Sequence, residues 1–265
     1  MIKKYWRAAK NTWDEAFIYR LNFSLWRIRT IMNILLVYFL WLALLGNGSF
    51  IFGYSKAEMI TYILLTAFIS SMVLSSRSAS IGDEINNGDL SNYLVKPMNY
   101  FTYWFFRDMG DKAMNMGFAL IEFSLIFLFL HPLFFLQTNF LFLFLFATAL
   151  ILSITILFFL NVLVSLLGFW VDQVWPLRFI FFIIIQFFAG SLFPLDILPK
   201  PLFIIFSLLP FPYLLYFPVK IYLGNENWIS IISGFIISGI WVFLLLKCVN
   251  FLWRKGIRNY SAQGR

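Results

Sequence analysis

The stretch AMNMGFALIEFSLIFLFLHPLFFLQTNFLFLFLFATALILSITILFFLNVLVSLLG, residues 113–168, carries one formal charge, Glu122. A helix needs about 20 mostly apolar residues to cross about 30 Å of hydrocarbon, so this run is too long for a single crossing. It is interrupted at His131-Pro132 and at Gln137-Thr138-Asn139, residues that suit a tight turn. The reading is two membrane helices, 113–130 and 140–168. Working outward between charged residues adds four more at 30–46, 59–76, 179–193 and 228–246. The expected fold is therefore an all-α membrane protein of six transmembrane helices forming one domain.

Composition supports that class. The 265 residues are 62% hydrophobic, 22% aromatic and only 12% charged, where soluble domains carry about a quarter charged residues. An ordinary soluble enzyme, a disordered chain and a nucleic-acid-binding domain are excluded on those grounds. The formal charge of +8 is what Lys- and Arg-rich cytoplasmic loops produce. Cys248, the single cysteine, offers no internal disulfide. Residues 1–29 precede the first apolar run and carry Lys3, Lys4, Arg7, Lys10, Arg20, Arg27 and Arg29, so no cleavable signal peptide is expected.

Pro201 to Pro218 is apolar but interrupted by Pro210, Pro212 and Pro218, which break a continuous helix. Six crossings put both termini on one side and divide Lys and Arg seventeen to three between the two faces, as the positive-inside rule requires. A seventh crossing would place the basic tail, 247–265, outside. Residues 194–225 are therefore expected as a re-entrant helical hairpin on the outer face, where broken backbone needs cover from protein or water.

Two cytoplasmic elements are expected. In residues 3–21, Tyr5, Trp6, Ala9, Trp13, Ala16 and Phe17 recur at three- and four-residue steps with Lys3, Lys4, Arg7, Lys10 and Asp14 opposite. That pattern predicts an amphipathic helix in the headgroup plane, with Trp6, Trp13 and Phe17 as its interfacial residues. In the 77–112 loop, Ile81 and Ile85 lie one turn apart on a helix running on from the second span. Gly88 is placed to stop it and Asp89 to N-cap the next one. A short helix then presents Leu90, Tyr93 and Leu94 on one face and ends at Pro97. Arg107/Asp111 and Asp108/Lys112 are spaced as surface i,i+4 pairs. A protruding helix-stop-helix unit with an apolar face suits docking to another protein.

The run Glu84-Ile-Asn-Asn-Gly88-Asp-Leu90-Ser-Asn-Tyr-Leu94-Val-Lys-Pro97 resembles the coupling-helix pattern that follows the second span in type-2 ATP-binding-cassette (ABC) permeases. Leu74-Ser-Ser-Arg77 and Tyr103-Trp-Phe-Phe-Arg107-Asp-Met-Gly-Asp111-Lys112 resemble the bacterial daunorubicin-resistance-like members. The resemblance extends over essentially the whole chain in length, span count and loop order. It implies a permease of an ATP-driven exporter in the bacterial plasma membrane, with both termini cytoplasmic. The coupling residues would be Glu84, Gly88, Asp89, Leu90, Tyr93, Leu94 and Pro97. The implied partners are a separate ABC ATPase, which would hold the ATP and Mg, and a second permease, the same chain or a related one.

The remaining motifs fit that reading. No GxxxxGK[ST] phosphate loop and no HExxH occurs, and His131 is the sole histidine, so no cofactor, metal site or catalytic triad is expected in this chain. Gly46-Asn-Gly48 reads as a turn after the first span. Glu122, Asn161 and Gln186 fall inside spans, where polar side chains line a path or join helices. The alternative is a standalone secondary carrier or channel, for which a lone intramembrane acid is thin support.

Overall fold

A computed structural model describes residues 2–18, 20–46, 50–224 and 226–260. Asn47 and Gly48 of the expected turn, Arg265, and the side chains of Lys3, Lys4, Ala16 and Arg20 lie outside the described residues.

Among the described residues, five helices are long and apolar enough to cross a membrane. They lie in α2 (Arg20–Leu45), α3 (Lys56–Val73), α6 (Tyr100–Leu130), α7 (Phe140–Leu166) and α11 (Trp228–Asn259). Before them stands α1 (Ile2–Ile18). A two-stranded hairpin, β1 (Phe50–Ile51) and β2 (Tyr54–Ser55), joins α2 to α3. The outward surfaces of the long helices are apolar, with Leu36, Phe39, Leu44, Leu120, Phe129, Phe144, Ile229 and Phe243 all exposed. That inverted surface is made for lipid.

Several boundaries differ from the expected ones. The tail expected at 247–265 is helical to Asn259, because α11 is one rod of 32 residues, about 48 Å long. The span expected at 113–130 is the inner part of α6, which starts at Tyr100, its first turn capped by the Asn99 side chain accepting from the Thr102 amide. It stops at His131, whose φ of 42° is a left-handed cap. Asn139 caps α7 by accepting from the Leu141 amide at 2.9 Å.

The expected span 179–193 is instead α8 (Trp175–Phe188), 14 residues or about 21 Å. Gly190 at φ +77° ends it. A Cβ there would lie 2.7 Å from the Tyr62 hydroxyl oxygen, and that hydroxyl donates to the Gly190 carbonyl at 2.7 Å.

The 194–225 segment is divided near Pro210 and Pro212 into α9 (Lys200–Ser207), a 3-10 turn at Phe211–Tyr213 and α10 (Tyr216–Leu223), whereas Pro218, expected to interrupt helix, sits in the first turn of α10, where a missing amide is tolerated. The two helices have different roles. α9 is largely exposed, whereas every residue of α10 is buried against the bundle. Lys220 on α10 donates to the Tyr54 hydroxyl and the Asp196 carboxylate, each at 3.0 Å, and pairs with Glu226 at 3.2 Å. The ammonium is therefore paired, as burial of a charge requires. These bonds tie the β1–β2 hairpin to α10 and the chain before α9.

At the centre is α3. Met59, Ile60, Tyr62, Leu64, Ile69 and Val73 are at most 1% exposed, surrounded by α2, α6, α7 and α10.

Candidate functional site

The expected helix running on from the second span does not form. α3 ends at Val73, residues 74–77 are non-helical, a 3-10 turn covers Ser78–Ser80, and α4 (Ile81–Asn86) begins a new helix. A turn of α6 holds this break. Asp108 accepts from the Ser76 hydroxyl at 2.7 Å and from the Arg77 and Ser78 amides at 2.7 and 3.2 Å. Lys112 donates to the Val73 carbonyl at 2.8 Å and to the Ser75 carbonyl, and pairs with Asp108 at 3.4 Å.

The Asp108/Lys112 pair thus forms as spaced, but inside the protein and not on its surface. The Arg107/Asp111 pair does not form. Arg107 grips both oxygens of Glu15 on α1, and Asp111 takes Arg77 at 2.9 Å. Each finds a tertiary partner closer than its helical neighbour.

Beyond the break, α4 and α5 (Ser91–Leu94) form a compact knob. Ile81, Ile85 and Leu90 join Tyr100, Trp104, Phe158, Leu166, Phe169 and Val249 in a second apolar core. Gly88, at φ +82°, turns the chain after α4 in the left-handed conformation that glycine adopts cheaply. The Tyr260 hydroxyl then donates to the Gly88 carbonyl at 2.6 Å and accepts the Ser91 amide at 3.1 Å. Glu84 accepts from the Tyr100 hydroxyl at 2.6 Å. Burial holds the Glu84 carboxyl above its usual range, the Tyr100 hydrogen bond partly opposing it. Burial, with Glu84 nearby, raises the Tyr93 phenol as well.

Two expectations for the knob fail. Asp89 does not N-cap: Leu90 occupies the cap position in helical conformation, without a side-chain cap bond. The backbone turns continuously from Gly88 to Ser91, so the extended residue a cap requires is missing. Nor do Leu90, Tyr93 and Leu94 share a face. Leu90 is fully buried, drawn in as its amide donates to the Glu84 carbonyl at 3.1 Å. Tyr93 is half-buried, and Leu94 is 46% exposed. The outward tip consists of Asp89, Asn92, Leu94, Val95 (83% exposed), Lys96 and Pro97. Glu84, Asp89, Asn92, Tyr93, Val95 and Lys96 line a cavity of about 600 Å³ there.

α1 packs against α6 through small residues, a contact the amphipathic pattern does not indicate. Ala8, Ala9 and Thr12 are buried, and a Cβ on Gly110 would come within 2.6 Å of the Ala9 carbonyl oxygen. Trp13 donates to the Gly110 carbonyl at 2.7 Å. Trp6 and Phe17 stay outward, 70% and 61% exposed, and Trp13 is partly so. Small residues allow the helices to approach, which leaves the rings of Trp6 and Phe17 on the outer side of α1.

A larger cavity, about 760 Å³, opens between α2, α3, α6 and α8. Asn33, Ser70, Ser71, Asn115 and Gln186 give it polar walls, and Phe23, Phe182 and Leu192 apolar ones. Glu122 is 7% exposed and paired with Arg27, whose Nε donates to it at 2.6 Å. Arg27 also reaches Asn115 at 3.1 Å and lines the cavity. Gln186 accepts from the Ser191 hydroxyl at 2.7 Å. Asn161 is half-buried on α7, outside the cavity lining.

The structure thus gathers Glu84, Gly88, Leu90, Tyr93 and Leu94 into one unit and leaves Trp6, Trp13 and Phe17 on another surface. Sequence reading overlooked Val95, Arg27 and Tyr260. Val95 follows Leu94 directly in the quoted motif, and Arg27 was counted only as a loop charge. Among the described residues no cluster of acids, histidines or cysteines suits a metal. A family model described as ABC-2 family transporter protein matches residues 31–264. No curated protein matches the sequence.

Proposed function

The chain belongs to the ABC-2 transporter family, and on that premise we propose that it is the membrane-spanning permease subunit of an ATP-driven exporter, of the daunorubicin-resistance-like kind. A separate ABC ATPase would hold ATP and Mg and bind the tip of the knob at Asp89, Asn92, Leu94, Val95 and Lys96. The observation that carries this is the contrast within residues 81–97. Ile81, Ile85 and Leu90 are anchored in an apolar core, while Leu94 and Val95 project without cover. Exposed apolar residues on a rigid support are what a protein partner requires.

In this reading α8 is the sixth crossing. It is short for the bilayer, a mismatch met by local thinning or by the hairpin that follows. Both termini and the knob face the cytoplasm of a bacterial plasma membrane, and α9–α10 lie at the outer face beside the exit. The outward Trp6, Trp13 and Phe17 side chains of α1 dip into the headgroup layer. The polar-walled cavity between α2, α3, α6 and α8 is half of the translocation route. A second permease, identical or related, closes it, because polar walls open sideways into lipid are costly. Closure of the ATPase dimer would push the two knobs and switch the bundles between inward- and outward-open packings.

The test is purification of the tagged chain in mild detergent from its own host. Co-purification of an ABC ATPase, lost in a Val95→Asp variant that still inserts, supports the proposal. Ion-driven transport in liposomes containing this polypeptide alone would favour the standalone carrier and overturn it.

A further inference from the structure

We infer that Asp108 and Lys112 are positioning residues that make one turn of α6 the joint between the 81–97 knob and α3. The inference rests on the ATPase-driven reading above.

A helix end leaves its last carbonyls without intrahelical partners. At the end of α3 they are met by a side chain from another helix, Lys112, which donates to Val73 and Ser75. The amides that follow, Arg77 and Ser78, are met by Asp108. Asp108 is fully buried and Lys112 is 3% exposed. An apolar pair at such a place commonly gives equal or greater stability. What the ion pair adds is direction: its donors and acceptors fit only one arrangement of residues 73–78 against α6.

The same turn grips further elements. Arg107 holds Glu15 of α1, and Asp111 holds Arg77. One turn earlier Trp104 is packed beneath the knob with Tyr100. From Trp104 to Lys112 is about 12 Å of uninterrupted helix. A push on the knob therefore reaches α6 through Trp104 and Tyr100, and reaches α3 and α1 through residues 107–112. The direct covalent route, residues 74–77, is non-helical and would bend if left unpinned.

Spin labels in the purified permease–ATPase complex in nanodiscs test this, in a Cys248→Ser background. One pair is Asn87→Cys with Lys56→Cys, spanning knob and α3, both away from the docking tip and the cavity. The other is Asn87→Cys with Leu202→Cys, spanning knob and α9. On ATP–vanadate trapping the Asn87–Leu202 distance should shift, while the Asn87–Lys56 distribution stays superimposable. In an Asp108→Asn variant that still hydrolyses ATP, the Asn87–Lys56 distribution should shift or broaden with nucleotide. Hydrolysis retained with this rigidity lost is a result that a merely stabilising pair would not produce. A nucleotide-driven change of the Asn87–Lys56 distance in the parent overturns the joint, whether or not the variant folds. So does an Asp108→Asn variant that behaves as the parent. If no ATPase is present, or neither distance responds to nucleotide, the ATP-driven reading itself fails and takes the joint with it.

Discussion

The hydroxyl of Tyr260, just past the end of α11, donates to the carbonyl of Gly88 at 2.6 Å across 172 residues of sequence. It also accepts the Ser91 amide. One phenol thus staples the knob to the C-terminal helix. Tyr260→Phe removes the donor and the acceptor and keeps the ring. A hydrogen bond contributes about 1 kcal/mol net, and more where a part-buried group is left unmet. Amide exchange over residues 88–94 should accelerate about tenfold, with exchange in α7 unchanged. Unaltered protection at 88–94 would remove the staple from the account.

Leu90 and Val95 should respond in opposite ways. Leu90 is fully buried in the knob's core, so Leu90→Ala should cost about 2–5 kcal/mol of stability and lower the amount of folded protein. Val95→Asp, at 83% exposure, should leave the melting midpoint within about 1 kcal/mol equivalent and abolish ATPase association. Thermal melts combined with co-purification read both effects.

How much of this was legible beforehand depended on periodicity and on distance along the chain. Long apolar runs announced α2, α3, α6, α7 and α11, and His131-Pro132 with Asn139 marked the α6–α7 turn, because hydrophobic length and turn chemistry are local signals. The length of α8 was not legible. Its apolar run continues to Phe193, and the helix stops at Phe188 because Gly190 turns left-handed under Tyr62, a residue 128 positions away. Asp89 looked like a cap because a glycine stop usually precedes a fresh helix, and nothing local shows that Leu90 would be drawn inward first. Arg107 and Asp111 were spaced to pair, yet Glu15 and Arg77, both remote in sequence, won them. Glu122 was visible as an intramembrane acid; its partner, counted among loop charges, was not.

The Arg27–Glu122 pair gives a two-variant prediction. Both side chains are largely buried, at 11% and 7% exposure. Removing one partner leaves an uncompensated charge, at a cost of about 3–5 kcal/mol. Arg27→Met alone should therefore lower the melting midpoint by about 10 °C. Arg27→Met with Glu122→Leu should recover most of that loss. A double variant as unstable as the single one would contradict a simple pair.

Glu84 makes knob stability depend on pH. Its folded carboxyl binds a proton more readily than the unfolded one, whose ordinary value is 4.5. Stability from this group is thus fully present below pH 4.5, declines as pH rises through the higher folded value, and is level above it. Glu84→Gln still accepts from Tyr100 and cannot ionise. Local amide exchange in α4, followed from acid to neutral pH, should open with rising pH in the parent. In Glu84→Gln that pH-dependent contribution should vanish.

The most direct measurement is photocrosslinking from the tip of the knob. Benzoylphenylalanine at position 95, irradiated in intact cells, should give a discrete adduct with an ABC ATPase subunit, and the same probe at Leu128 should give none. Adducts only with lipid at position 95, or labelling of that position from outside the cell, would contradict a cytosolic knob held by an ATPase.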